Sequence, residues 1–423
     1  HKIFGYLIFF GILMLIFQSI FDWSSIPMDF IDTTFSKLSA FTKDSLPAGK
    51  FTDLLSDGII PGIGGIVIFI PQIAFLFLFI SVLEESGYMS RVVFLMDKIM
   101  RRFGLSGKSI VPLISGTACA IPAIMSARNI ENWKERLITI LITPFITCSA
   151  RLPVYAILIS LIIPEKRFLG FSLQGLTLMA LYLLAFVVAI ASAYILNKLL
   201  KLKCKSYFVV EMPSYKVPLF KNVALNVLEK TKAFVTGAGK IILAISIVLW
   251  FLGSHGPGNF NKAEEIIAQK NTNTRLTEGA FENQVNAYKL ENSYIGIMGK
   301  TIEPAIKPLG YDWKIGIAVV SSFAAREVFV GTLATIYSVG SQSEEEATIK
   351  MKMAEDIDAN GNKIFNFATG ISLLLFYAFA MQCVSTLAIV KKETNSWKWP
   401  LIQLVFMSGF AYVVALIAYQ TLK

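Results

Sequence analysis

The chain has 423 residues, 55% hydrophobic and only 16% charged, with a mean hydropathy of +0.61. A soluble domain carries nearer a quarter charged residues, so the balance points to an all-α polytopic membrane protein and overrides a length-based expectation of two or three soluble domains. The net charge of +10 is no nucleic-acid signature, because eight lysines against two glutamates fall between Lys198 and Lys232, between apolar spans, as a cytoplasmic positive-inside bias would place them.

In chain order, the first apolar span is Ile3 to Phe21. It starts without a basic n-region or a small-residue cleavage site, which reads as a fragment and not a signal peptide. Residues 22–58 form a polar connection with six aspartates and three lysines, expected on the outer side. The second span, 59–83, holds Pro71 and Gln72 near its centre, and a basic amphipathic stretch with Arg91, Lys98, Arg101 and Arg102 follows. Next comes a short apolar segment, 108–127, interrupted at Ala-Cys119-Ala-Ile-Pro122 and flanked by basic loops, the pattern of a re-entrant hairpin. Spans at 137–163 and 168–196 lead to the lysine-rich loop 201–232. The first of them is interrupted at Thr-Cys148-Ser-Ala-Arg151-Leu-Pro153.

The second half opens with a span at 233–252 and a polar insert, 253–311, with six basic residues and six glutamates. A segment at 314–337 is interrupted at 321–327, an acidic stretch follows, and spans at 364–390 and 400–422 close the chain. The halves match: Gly104–Lys108 with Gly310–Lys314, Ser115 with Ser321, Ala118 with Ala324, and Cys148 with Cys383. Loop charges set the halves in opposite orientations, an inverted repeat with about 7–9 membrane segments in all. The expected organisation is a first helix (1–21), the outer connection (22–58), repeat 1 (59–200), the basic cytoplasmic loop (201–232) and repeat 2 (233–423).

Irregular backbone at bilayer depth survives only against protein or a wet cavity, which makes the breaks candidate substrate sites. Three of four cysteines lie in apolar segments and make no disulfide framework. Cys119, Cys148 and Cys383 are therefore either small buried hydrophobes or metal ligands. Glu327 sits with Arg326 inside an apolar segment, where a central charge costs about 2.5–3.5 kcal/mol. It needs a partner, either Arg151 in a structural ion pair or a transported cation. Glu84 and Glu85 end the second span as solvated carboxylates or as an exit path for a cation. Met125 is a soft donor or a packing residue. With only His1 and His255 in the chain, a histidine site is excluded.

Several strings resemble the membrane part of FeoB, the bacterial ferrous-iron transport family. They are Gly-Ile-Gly-Gly-Ile-Val-Ile-Phe-Ile-Pro-Gln at 62–72, Leu-Glu-Glu-Ser-Gly-Tyr-Met at 83–89, Cys-Ala-Ile-Pro-Ala-Ile-Met at 119–125, Ser-Ala-Arg-Leu-Pro-Val-Tyr at 149–155, Ala-Arg-Glu-Val-Phe-Val-Gly-Thr-Leu at 325–333 and Gln-Cys-Val-Ser-Thr-Leu-Ala at 382–388. The resemblance implies two Gate repeats and Fe²⁺ import across the bacterial inner membrane. It implies an iron site of Cys119, Cys148 and Cys383, which Glu327 completes in our reading. It also implies a GTPase domain N-terminal to this part, the only place for GTP and Mg²⁺, and partners that include small accessory Feo proteins and a second copy of the chain. Gly107-Lys-Ser109 is no phosphate loop, since the pattern needs glycine where Arg102 stands and follows no strand here. Two rival readings are an organic-solute carrier of nucleoside type and a non-transporting membrane scaffold.

Overall fold

The computed structural model describes residues 2–423 except 48, 165, 169–170, 201–214, 259–261, 271–277, 324–325, 327, 338–352, 354–355, 357–362 and 382. Helices dominate the described residues, with one two-residue antiparallel ladder, Arg167–Phe168 against Phe171–Ser172. Five helical stretches among them are long and apolar enough to cross a membrane: Lys50–Glu85, Trp133–Ile162, Leu173–Leu199, Phe367–Thr394 and Lys398–Leu422. This is an integral membrane protein of helical build. Segments 108–127 and 314–337 are each divided into two short helices, and 233–252 is divided between a π turn at Val235–Gly239 and the helix Lys240–Ser254. Cys204 and most of the acidic stretch, with Glu344 to Glu346, lie outside the described residues.

The chain forms two compact units that interleave in sequence. The first comprises His1–Ser149, Ala185–Ile247 and Ser385–Leu401. Its opening helix runs from Lys2 to Ser45, through Pro27 and well past the apolar run that ends at Phe21. It packs along Ile60–Val67 and Phe69–Glu85, where Gly64 admits Phe35: a Cβ at Gly64 would stand 3.1 Å from the Phe35 Cβ. The amphipathic pattern after the second span folds as the helix Tyr88–Met100, with Val92, Val93, Met96 and Met100 buried. Gly104 ends the following turn at φ +79°, a backbone conformation that suits glycine, and its Cα abuts Asn197. The basic amphipathic stretch at 222–232 belongs to the helix Phe220–Phe234, packed on Phe69–Glu85 through Asn226 Nδ2–Ser81 Oγ (3.2 Å) and Asn222 Nδ2–Glu85 Oε1 (3.0 Å).

The apolar core of this unit joins Ile73, Phe77, Ile121, Ile124, Ile140 and Val390, with Met125 in the same cluster. Beside it, Glu393 is 2% exposed and carries two arginines. Arg128 binds its carboxylate through Nε (2.8 and 3.0 Å) and Nη2, and Arg136 through Nη2 at 3.0 Å. These bonds tie the loop after Ala120–Ser126 and the helix Trp133–Ile142 to the helix Val384–Thr394.

The second unit comprises Ala150–Leu184, Val248–Val384 and Ile402–Lys423. Its broken segment begins as the first one does. A 3₁₀ turn, Lys307–Leu309, is closed by Gly310 at φ +82°, and the Tyr311 amide returns to the Ile306 carbonyl at 3.4 Å, as Leu105 returns to Met100 at 3.1 Å. Tyr311 and Tyr377 are buried here, their hydroxyls bonded to Ser372 (3.0 Å) and Ser322 (2.9 Å).

Truncating Glu393 strands two guanidinium groups. A wholly buried broken pair costs about 3–5 kcal/mol, but Arg128 is half exposed and re-solvates, so the loss is smaller. Glu393→Ala is expected to lower the thermal unfolding midpoint in detergent by several degrees, with Glu393→Gln intermediate. An unchanged midpoint contradicts the clamp.

Candidate functional site

The first break follows from one proline. Pro122 has no N–H, so the carbonyl four residues earlier, that of Ala118, loses its helical partner, and the proline ring crowds it. The helix Ile110–Ala118 stops there, Cys119 is extended at φ −154° and ψ +136°, and the helix Ala120–Ser126 begins again. Nine residues rise about 14 Å, under half the hydrocarbon thickness, so neither half spans alone. Pro144 and Pro153 flank the interruption of the later span, Pro153 in the first turn of the helix that follows. The helix Trp133–Ile142 tightens into a 3₁₀ turn, Thr143–Phe145, Ile146 is extended, and helix resumes only after Ser149–Arg151. Pro71 accompanies a third interruption, the turn at Ile68 between the helices Ile60–Val67 and Phe69–Glu85.

The structure brings these interruptions together. The Ser149 hydroxyl donates to the freed Ala118 carbonyl at 2.8 Å, and Gln72 Nε2 donates to Ser149 Oγ at 2.8 Å. Gly116 lets the half-helix lie against the second break, since a Cβ there would stand 3.3 Å from Thr143 Cγ2 and 3.5 Å from Ile146 Cβ. Residues adjoining Cys119 and Cys148 are thus hydrogen-bonded to each other. Cys148 is buried, and Cys119 is half-buried against the apolar cluster. Neither cysteine is in a disulfide.

Cys383, half-buried and in no disulfide, belongs to the second unit. It precedes the helix Val384–Thr394, and the Val384 amide donates to the Phe323 carbonyl at 3.1 Å. So in the second unit too, the residue after the cysteine bonds a carbonyl at the broken segment, whose half-helices are Trp313–Ser321 and Val328–Tyr337. Ser321 Oγ and Thr332 Oγ1 join these halves at 2.8 Å. Arg326 is buried at the break, and Glu327 lies outside the described residues, as does any pairing of it with Arg151. Arg151 is fully buried at the foot of the helix Leu152–Ile162. Among the described residues no group of three or more His, Cys, Asp or Glu side chains is disposed to hold a metal ion.

Glu84 is exposed and Glu85 half-buried at the end of Phe69–Glu85, away from the breaks in sequence and bonded to the amphipathic helix through Asn222. His255 stacks on Phe251 at 4.5 Å. The Gly107-Lys-Ser109 string is a 3₁₀ turn whose groups are occupied: the Gly107 amide donates to Asp97 Oδ1 at 2.9 Å, and Lys108 Nζ donates to Glu131 at 2.8 Å. Lys108 holds the Glu131 carboxyl below the usual carboxylate range, through that hydrogen bond first. The Gln72–Ser149 bond and the Arg128–Glu393–Arg136 clamp carry no sequence pattern. Their signals were a lone amide inside an apolar span and a lone glutamate in a basic stretch.

A family model described as Gate, nucleoside recognition, matches residues 66–161 and 235–397, and one described as ferrous iron transport protein B C terminus matches 178–230. The chain belongs to the Gate family, among the FeoB proteins. It is 45% identical to the Fe(2+) transporter FeoB of Leptospira interrogans over 99% of this chain and 58% of that protein. The Leptospira biflexa FeoB is 43% identical with the same coverage. A Fe(2+) transport protein A/Fe(2+) transporter FeoB fusion protein of Porphyromonas gingivalis is 36% identical over 99% of this chain and 50% of its own length. The chain thus spans 58% of the Leptospira FeoB relatives. No solved structure matches it. Within the FeoB family's strings, the Gate matches contain both broken segments and Cys119, Cys148 and Cys383.

Replacing Gln72 with leucine removes the donor that orients Ser149, at about 1 kcal/mol for one net hydrogen bond. Gln72→Leu is expected to quicken maleimide labelling of Cys148 in membranes severalfold while protein yield is kept. Unaltered labelling contradicts the role given to this bond.

Proposed function

We propose that this chain is the membrane permease part of a ferrous-iron importer, and that Fe²⁺ crosses by way of the thiols of Cys119, Cys148 and Cys383 with the Glu327 carboxylate. The observation that carries the reading is the bond between the two breaks of the first unit, which joins two interruptions that each hold a cysteine. Fe²⁺ accepts sulfur and carboxylate donors, and an extended backbone at a break leaves carbonyls and thiols to face an ion as no regular helix does. Glu84 and Glu85 serve as an exit path toward the cytoplasm, with Arg151 as the resting counter-charge of Glu327. The two broken segments act as inverted repeats, 59–200 and 233–423, in the bacterial inner membrane. The outer connection is 22–58, and the lysine-rich loop 201–232 lies inside.

GTP chemistry belongs to a domain supplied elsewhere in the full polypeptide, because the Gly107 amide and Lys108 amine already have acidic partners. The fusion found in Porphyromonas supports a small Feo accessory protein as a partner. A second reading, transport of an organic solute, is favoured by the nucleoside-recognition description of the matching family. It requires no thiol.

In vesicles, ⁵⁵Fe²⁺ uptake is expected to fall at least tenfold in Cys119→Ser, Cys148→Ser and Cys383→Ser. Thiols must shed protons to bind the ion, so apparent affinity rises as pH rises. Full uptake in all three variants, or competition by uridine and not by Mn²⁺ or Zn²⁺, contradicts the proposal.

A further inference from the structure

Thr147, the residue before Cys148, is 1% exposed, and its hydroxyl has no hydrogen-bond partner among the described residues. Every neighbouring hydroxyl is satisfied. Thr139 donates to the Glu135 carbonyl (2.7 Å), Thr143 to the Thr139 carbonyl (2.6 Å), Thr117 to Ile114 (2.6 Å) and Ser149 to Ala118 (2.8 Å). Thr147 is denied this because the helix ends beneath it. Ile146 is extended at φ −61° and ψ +131°, so the chain leaves the helical path before Thr147. An unmet buried hydroxyl costs about 1–3 kcal/mol, and valine has the same shape without that cost. A threonine kept there, next to a buried free thiol, has an acceptor lone pair to offer to something not yet in the site.

We propose that the Thr147 hydroxyl is an oxygen ligand of the transported divalent cation beside the Cys148 thiol, and that it moves the site's preference from Zn²⁺ toward Fe²⁺. This rests on the thiol reading above. Sulfur-only donor sets favour Zn²⁺ and Cu⁺, whereas a hydroxyl oxygen is a harder donor that keeps its proton and adds no charge. The ion gains an oxygen neighbour without gaining affinity for softer rivals.

The test is Thr147→Val in the full polypeptide reconstituted in vesicles. The KM for ⁵⁵Fe²⁺ should rise roughly three- to tenfold, the value of one such contact, with the maximal rate kept. Inhibition by Zn²⁺ should strengthen relative to Fe²⁺, and Thr147→Ser should restore both. A hydroxyl with no part in binding leaves uptake and Zn²⁺ competition unmoved, and that result overturns the proposal. If the valine variant fails to accumulate, Thr147→Ala is read by the same two criteria. Cys148→Ser is run beside it. Loss of uptake there with a silent Thr147→Val removes only the hydroxyl ligand, while silence of both removes the thiol site as well.

Discussion

One freed carbonyl organises the first unit. Pro122 removes the amide that would have bonded Ala118, and in an apolar interior an unsatisfied carbonyl costs several kcal/mol. Ser149 supplies the missing donor, and Gln72 fixes Ser149 in turn. A proline in one segment thereby dictates a hydroxyl in another and an amide in a third, and the cysteines beside the first two follow. Gly116 is part of the same arrangement, since a Cβ there would already touch Thr143 Cγ2 at 3.3 Å and Ile146 Cβ at 3.5 Å.

The second unit also joins its break to the residue after a cysteine, with different atoms. There the main-chain amide after Cys383 reaches the Phe323 carbonyl, where Ser149 uses its side chain. Both arrangements hold an irregular segment by a single polar contact between an interrupted helix and the residue following a cysteine. Such contacts are weak against water and strong in a dry interior. The Arg128–Glu393–Arg136 clamp gives the loop between the two broken helices of the first unit a fixed anchor.

What the sequence made legible was punctuation. Proline and small residues inside apolar runs marked the interruptions at Cys119 and Cys148, the charged pair Arg326-Glu327 marked that at 321–327, and the turn at Gly310 repeats that at Gly104. The family was legible in unbroken strings around those points. The length of the opening helix was not: the aspartates between Asp22 and Asp44 read as a polar connection, and they lie on a helix that continues to Ser45 and packs against two later helices. Nor was Glu393, set among Lys391, Lys392 and Lys398 as if solvated. It is buried through arginines 257 and 265 positions away, a separation no local pattern encodes. Gln72 stood out only as an amide in an apolar span, and its partner Ser149 lies 77 residues on.

The central claim is that iron meets sulfur at these interruptions. X-ray absorption at the iron edge, on Fe²⁺-loaded protein kept anaerobic in lipid, reads the ion's neighbours directly. The account predicts sulfur scatterers in the first coordination sphere, diminished when either Cys119 or Cys148 is replaced by serine. A shell of oxygen and nitrogen alone, identical in the wild-type and serine proteins, would contradict it.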